Sequence, residues 1–317
     1  MIWLMTDEVW MPIAERVQRA LDRIGAPSII MNPQAAKDLV VEIDGTTVSV
    51  RIEDTVLDTP SAVLYLRDPI PRPPADGSID ADMTRFVVQQ WQMMLRGLMT
   101  TLDAAGVAMA NPVASVLVDE KTAQLVRAAQ LGFTTPATLH GAVGTHAETF
   151  ARAHGDRCAT KPFAPFVRLA ARGDSMQRLL TNLTCASDLR RGLDGATVPS
   201  PTIVQPFIAA AFEHRVVVVG DRVFTARIAR RGANAVDVRR LSPTKADVTA
   251  GELPDDVAAR CVALVRTSGL KIAAIDLLET DDDYVFLDLN PSGHFLWVEQ
   301  VTGAPICDAI ASLLAAA

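Results

Sequence analysis

Two aspartates set within apolar strands constrain this chain more than any other feature. The stretch LKIAAIDLLETDDDYVFLDLNPSGHFLWVEQVTG, residues 270–303, reads as two strands joined across Asp281, Asp282 and Asp283. Asp276 lies on the first strand, Asp288 and Asn290 on the second, and alternate residues of a strand share a face. Apolar strands rarely bury carboxylates unless a cation compensates them. Three oxygen donors converging on one side of a sheet suit magnesium, which takes a few protein oxygens and leaves the rest to water and phosphate. The competing reading, aspartates capping strand ends in solvent, fits poorly with the apolar residues around them.

Two lysines and a hinge lie upstream in the same chain. Lys121 begins a helix after Asp119, a candidate N-cap, and Lys161 ends the strand CATKP. An ammonium is a point charge suited to phosphate oxygens, although each lysine alone would also pass for a surface residue. TIVQPFI, residues 202–208, is an apolar strand running into a hinge. The Pro206 carbonyl there can accept from an adenine amino group while the Ile208 N–H donates. Glu213, just beyond, is a candidate acceptor for ribose hydroxyls.

The remaining pattern divides into three blocks. Up to residue 110, MIWLMT, SIIM and AVLYL read as strands. They alternate with helical spacing at Ile13, Val17, Leu21 and Ile24, and again from Asp80 to Asp103. Asp44-Gly45 marks a hairpin between VVEI and TTVSVRI, and RDPIPRPPADGS is a proline-rich loop. Asn111-Pro112 opens the second block, 111–203, with a helix from Asp119 to Gly132, a strand at PATL and a helix over Ala147–Ala153. RLLTNLT follows as a strand and ASDLRRGL as a short helix. The third, 204–317, has a hairpin across Gly220-Asp221, a strand at ANAVDVRR, a helix at PDDVAARCVALVRTSG, the acidic hairpin and a last helix from Ala304 to Leu314. The expected class is α/β (α+β).

A net charge of −7 gives no general attraction to nucleic acid or an anionic membrane. No apolar run reaches a membrane span. The start carries Asp7 and Glu8 and lacks the basic segment of a signal peptide. Cys158, Cys185, Cys261 and Cys307 have no metal-ligand spacing and read as reduced core residues. Together these features predict a cytoplasmic protein.

The ordered segments NPVASVLVDEKTAQLVRAAQLGFTTPATL, ATKPF, IVQPFI, EHRVVVVGDRVF and IDLL…FLDLNPSG resemble the motifs of the ATP-grasp superfamily. The resemblance implies an ATP-grasp fold: an N-terminal Rossmann-like domain (1–110), a central α/β subdomain (111–203) and a C-terminal antiparallel-sheet subdomain (204–317). EHRVVVVGDRVFTARI, VDVRR, FLDLNPSGHFLWVEQVTGAPICDAIASLL, RLLTNLTCASDL and VLYLRDPIP are most similar to the graspetide synthetases, the microviridin-type peptide maturases. That family implies ATP-dependent phosphorylation of an Asp or Glu side chain in a precursor peptide docked through its leader. Attack by Ser, Thr or Lys then closes an ester or amide macrocycle. A homodimer is common among such proteins.

Carried over by position, Lys121 and Lys161 match the ATP-phosphate lysines, and Gln205, Pro206, Phe207 and Ile208 the adenine hinge. Glu213 matches the ribose region, with Asp276, Asp288 and Asn290 as metal ligands. Arg215 matches the arginine of a Glu-x-Arg motif, Arg230 is a further cation for the transferring group, and Asp237 with Arg239 match an Asp-Trp-Arg motif near the substrate. Val238 replaces that motif's tryptophan, Arg227 a glutamate and Asp68 an arginine. Asp288 stands where glutamate is commoner. FAPFVRLAARGDS lacks the glycine-rich phosphate flap of many ATP-grasp enzymes. His294 is open to a structural or a catalytic role, and His140, His146, His154 and His214 have no evident cluster. The competing functions are a small-molecule amino-acid or dipeptide ligase and a degenerate module that binds nucleotide or leader peptide.

Overall fold

A computed structural model of the chain describes residues 1–32, 39–67, 69, 80–116, 120–142, 145–163, 166–169, 175–178, 181–191, 200–230 and 247–317. The first elements are β1 (Ile2–Met5), α1 (Met11–Arg23), β2 (Ser28–Met31), β3 (Leu39–Asp44), β4 (Thr47–Ile52), β5 (Thr55–Leu57), β6 (Ala62–Leu64), α2 (Ala81–Ala104) and β7 (Ala108–Ala110). Strands β2-β1-β6-β7 form a parallel sheet. Ile2, Leu4, Ala62 and Leu64 pack with Val17 and Leu21 of α1, whereas Trp3, Met5, Val63 and Tyr65 pack with Leu95, Leu98 and Met99 of α2. Burial on both faces is why these strands read as unbroken apolar runs. The Asp44-Gly45 hairpin forms between β3 and β4, with Gly45 at a φ of 58° that such a turn requires. Strand β5, too short to show a period, adds a third member.

The next stretch comprises α3 (Val113–Val116), α4 (Lys121–Gln130), β8 (Leu139–Ala142), α5 (Thr145–Ala153), β9 (Arg157–Lys161), β10 (Phe166–Leu169), β11 (Ser175–Arg178), β12 (Asn182–Cys185), α6 (Ala186–Arg191) and β13 (Pro201–Pro206). Strands β12-β9-β13-β8 make an antiparallel sheet, covered by Ala147 and Ala151 of α5 and Leu189 of α6. The expected N-cap Asp119 lies outside the described residues; Glu120 occupies the cap position without a side-chain cap bond. The strand expected at PATL begins instead at Leu139. The segment after Lys161 carries an antiparallel hairpin, β10 with β11, despite its lack of a glycine-rich motif.

The rest of the chain is built on a five-stranded antiparallel sheet in the order β16-β15-β14-β17-β18. Its strands are β14 (Phe212–Val219), β15 (Arg222–Ala229), β16 (Val248–Gly251), β17 (Ile272–Glu279) and β18 (Tyr284–Asn290), with α7 (Asp255–Thr267) between β16 and β17. The chain ends in α8 (Leu296–Thr302) and α9 (Ile306–Ala315). The last helix expected, Ala304 to Leu314, is α9; α8, which ends at Gly303 with a φ of 74°, precedes it and was not expected. The strand expected at ANAVDVRR lies outside the described residues. One face of the sheet, through Val216, Val218, Ala273, Ile275 and Leu277, packs on Cys261, Leu264 and Val265 of α7. The other, through Val217, Val219, Ile272 and Ala274, joins one core with α9, Phe295 and α1.

Asn111 ties the start of the second block to the acidic hairpin. Its amide nitrogen donates to the Ile272 carbonyl at 2.7 Å and the Pro291 carbonyl at 3.1 Å. Its side-chain oxygen accepts from the Lys271 and Ile272 N–H groups at 2.7 and 2.8 Å. The residue is fully buried, so truncation strands backbone groups away from water. Asn111→Ala is expected to cost about 3 kcal/mol in urea unfolding, at roughly 1–3 kcal/mol per stranded group with partial relaxation. An unchanged midpoint would show that the clamp adds nothing.

Candidate active site

The acidic hairpin places its carboxylates through strand register. Asp276 of β17 pairs directly with Asp288 of β18 on one side and with Arg215 of β14 on the other. Directly opposed residues share a face, so the three side chains form one row across three strands. Asn290, opposite Ala274, stands two residues further along the same face of β18. Arg215 donates to Asp276 at 2.7 Å, and Lys121, from the first turn of α4, donates to Asp288 at 2.7 Å. A bulge leaves Leu287 opposite no residue of β17, and its carbonyl accepts from Lys161 at 3.2 Å.

Asp288 is the electrostatic centre of this cluster. Burial alone would raise its pKa, but the nearby charges of Lys121, Lys161 and Arg215, with the Lys121 hydrogen bond, outweigh it and hold the carboxyl below its usual value. Three cations thus gather around one ionised group. The Nε of Arg215 is buried and has no protein acceptor among the described residues, leaving a donor for a ligand. His140 lies near Lys161: Nδ1 is 2.8 Å from the Thr122 hydroxyl, the ring packs edge-on against Phe163, and burial with the Lys161 charge lowers its pKa.

The hinge lies at the other end. Gln205, buried near the end of β13, donates to the Thr138 hydroxyl at 3.0 Å, and Pro206 ends the strand opposite Cys158. The Phe207 N–H donates to the Arg157 carbonyl at 2.8 Å, and the Arg157 guanidinium lies 4.4 Å from the Phe207 ring centre. Arg230 donates to the Ile208 carbonyl at 3.2 Å; burial lowers its pKa, opposed by the charge of Glu213. Glu213 shares a face of β14 with Arg215, so this face runs from the hinge toward the acidic row. Asp237 and Arg239 lie outside the described residues, as do Asp68 and Val238.

The residue types fit a magnesium–nucleotide. Two carboxylates and a carboxamide on one face form a hard-oxygen donor set, while the surrounding ammonium and guanidinium groups can exchange a carboxylate for phosphate. No set of three His, Cys, Asp or Glu side chains forms a metal site among the described residues.

The opposite face of the sheet holds a cluster that the sequence pattern did not flag. His214 lies 2.6 Å from Glu279, and Arg227 grips Glu279 with two bonds of 2.8 and 2.7 Å. The two-residue turn at Gly220-Asp221 fixes His214 opposite Arg227, so half of this cluster was available from the hairpin register. Burial keeps His214 neutral, with Nε2–H donating to the carboxylate. Glu279 falls to about 2, chiefly through the Arg227 hydrogen bonds, from a usual 4.5. A depressed folded-state pKa adds stability in full above the unfolded value and loses it as pH falls through the folded one. Glu279→Gln is therefore expected to flatten the loss of stability between pH about 4.5 and about 2, read by urea unfolding across that range. An identical slope in both proteins would separate Glu279 from acid stability.

His294, four residues past Asn290, stacks on Trp10 with ring centres 4.5 Å apart. Arg67, 5.7 Å from the Trp10 ring centre, also pairs with buried Asp7. Among the described residues no helix is long and apolar enough to cross a membrane.

Residues 171–314 match the family described as the RimK-like ATP-grasp domain. The macrocyclase MdnC from Microcystis aeruginosa MRC, solved with its precursor peptide MdnA, is 24% identical with a TM-score of 0.83, and both chains are covered completely. The RiPP-associated ATP-grasp ligase of Chryseobacterium gregarium, solved with ADP and a leader and core peptide, is 22% identical with a TM-score of 0.84, covering 99% of this chain and 96% of that one. The ATP-grasp ligase PsnB, solved with a minimal precursor, Mg and ADP, is 21% identical with a TM-score of 0.76, over 99% of this chain and 96% of its own. No curated protein matches the chain in sequence. The chain has the ATP-grasp fold.

Proposed function

We propose that this chain, built on the ATP-grasp fold, is an ATP-dependent ligase that phosphorylates Asp or Glu side chains of a ribosomal precursor peptide and closes ester or amide macrocycles. The observation that carries this reading is the gathering of Lys121, Lys161 and Arg215 around Asp288 and Asp276, at the end of a strand face that begins near the hinge. The full-length likeness to ligases solved with precursor peptides supports the substrate class. The division at residues 110/111 and 203/204 is proposed with it.

In this scheme Gln205–Ile208 hold the adenine and Glu213 the ribose, with Lys121 and Lys161 on the phosphates. Asp276, Asp288 and Asn290 would hold magnesium, which supplies charge neutralisation across the phosphate oxygens. A substrate carboxylate oxygen attacks the γ-phosphorus and ADP leaves. Two anions meet in this step, so charge neutralisation dominates the barrier, and Arg215, with Arg230 as a weaker contributor, offsets the repulsion. A hydroxyl or amine of the same peptide then attacks the acyl carbonyl and phosphate leaves. Asp237 is proposed as the acceptor of that proton, with Arg239 as a further residue near the substrate. Closure at the hinge excludes water, which would otherwise hydrolyse the acyl phosphate.

The test is to incubate the enzyme with ATP, magnesium and the short peptide encoded beside its gene, one rich in Thr, Ser, Asp and Glu. ADP release and loss of one water mass per ring are expected. ADP release with free amino acids and no change in the peptide would identify a small-molecule ligase instead.

A further inference from the structure

Among the described residues β18 is an edge strand; on its free side Val285 forms an isolated bridge with Thr134, and further along the backbone meets α4. There the carboxamide of Gln124 acts as a one-residue strand: Nε2 donates to the Leu289 carbonyl at 2.9 Å, and Oε1 accepts the Leu289 N–H at 3.2 Å. Gln124 is buried, and Leu289 lies between Asp288 and Asn290. Lys121 stands three residues before Gln124 on the same helix, one turn back, where its ammonium meets Asp288. One side chain therefore fixes both the backbone between two proposed metal ligands and the rotation of the helix that delivers a proposed phosphate cation.

We propose that Gln124 is a positioning residue for the magnesium–nucleotide site, setting Asp288 and Asn290 through Leu289 and Lys121 through α4. The proposal rests on the nucleotide reading given above. The chemistry favours it over simple helix docking. An apolar residue would dock α4 on the neighbouring core of Leu125, Ala128 and Phe133 equally well, whereas only a carboxamide satisfies both backbone groups of an edge residue. Groups that orient metal ligands commonly change metal affinity by about 10- to 100-fold when removed.

The experiment titrates magnesium into purified protein at fixed ADP by calorimetry, for wild type, Gln124→Met and Gln124→Asn. Amide hydrogen exchange at Leu289 is followed in parallel. Gln124→Asn keeps a carboxamide one methylene short of its target and serves if Gln124→Met does not fold. Val17→Ala, a buried position of α1 outside the proposed site, controls for loss of stability. The half-saturating magnesium concentration is expected to rise at least about tenfold in either Gln124 variant, with Leu289 exchange accelerated and ADP binding without magnesium nearly unchanged. Val17→Ala is expected to leave all three as in wild type. Wild-type magnesium dependence in the Gln124 variants, at any melting temperature, overturns the positioning role. Failure of wild type itself to bind magnesium with ADP removes the nucleotide reading instead, and the two failures are distinguishable.

Discussion

Asp288→Ala is expected to lower ATP-dependent turnover by a few hundred-fold, the loss of roughly 3–4 kcal/mol of preorganised stabilisation. The row Arg215–Asp276–Asp288 is built by sheet register without any ligand. Removing Asp288 deletes one proposed oxygen donor, takes the hydrogen-bond partner from Lys121 and removes a nearby negative charge from Lys161 and Arg215. The folded chain should survive. The side chain is part-buried and belongs to none of the hydrophobic cores. Stopped assays of ADP release, with circular-dichroism melts alongside, separate the two effects. Full activity in a folded variant would remove Asp288 from the mechanism.

Lys161→Ala is expected to fall by a similar factor, again roughly 3–4 kcal/mol, for a different reason. Lys161 is anchored unlike Lys121: its ammonium donates to the bulged Leu287 carbonyl, between the sheet of β9 and the sheet of β18. A charge poised between two sheets on a neutral carbonyl can turn to a phosphate at little cost. Its removal should depress kcat more than it raises KM for ATP, because the contact strengthens as charge shifts onto the leaving ADP. A change confined to KM would make Lys161 a ground-state binding residue only.

Much of the acidic row was legible in the sequence, because IDLL and FLDLN set polar groups into an apolar period of two, which a strand with a purely structural role rarely does. The hairpin then brought Asp276 directly opposite Asp288. The bulge at Leu287 was not legible, since one extra residue leaves no mark on composition. Nor were Asn111 and Gln124. Each is a polar residue beside apolar ones, and only the long-range approach of β17 and β18 shows that its carboxamide serves foreign backbone. Helix α9 was legible from Ala304 onward, whereas α8, ahead of Gly303 and Pro305, was not. The apolar run FLWV before them masked a helix start. The β10–β11 hairpin escaped because its strands are four residues each, too short for periodicity to register.

In the proposed chemistry Asp276 and Asp288 share a divalent cation with a bound nucleotide. Crystals grown with manganese in place of magnesium and a non-hydrolysable ATP analogue test this through the anomalous signal of the metal. The expected result is a peak between the two carboxylates, with Asp276 and Asp288 oxygens at about 2.0–2.2 Å, close to magnesium coordination distances, and Lys121 moved from Asp288 to phosphate. Nucleotide bound at the hinge with no anomalous peak there, and with Arg215 and Lys121 still clasping the two aspartates, would contradict it.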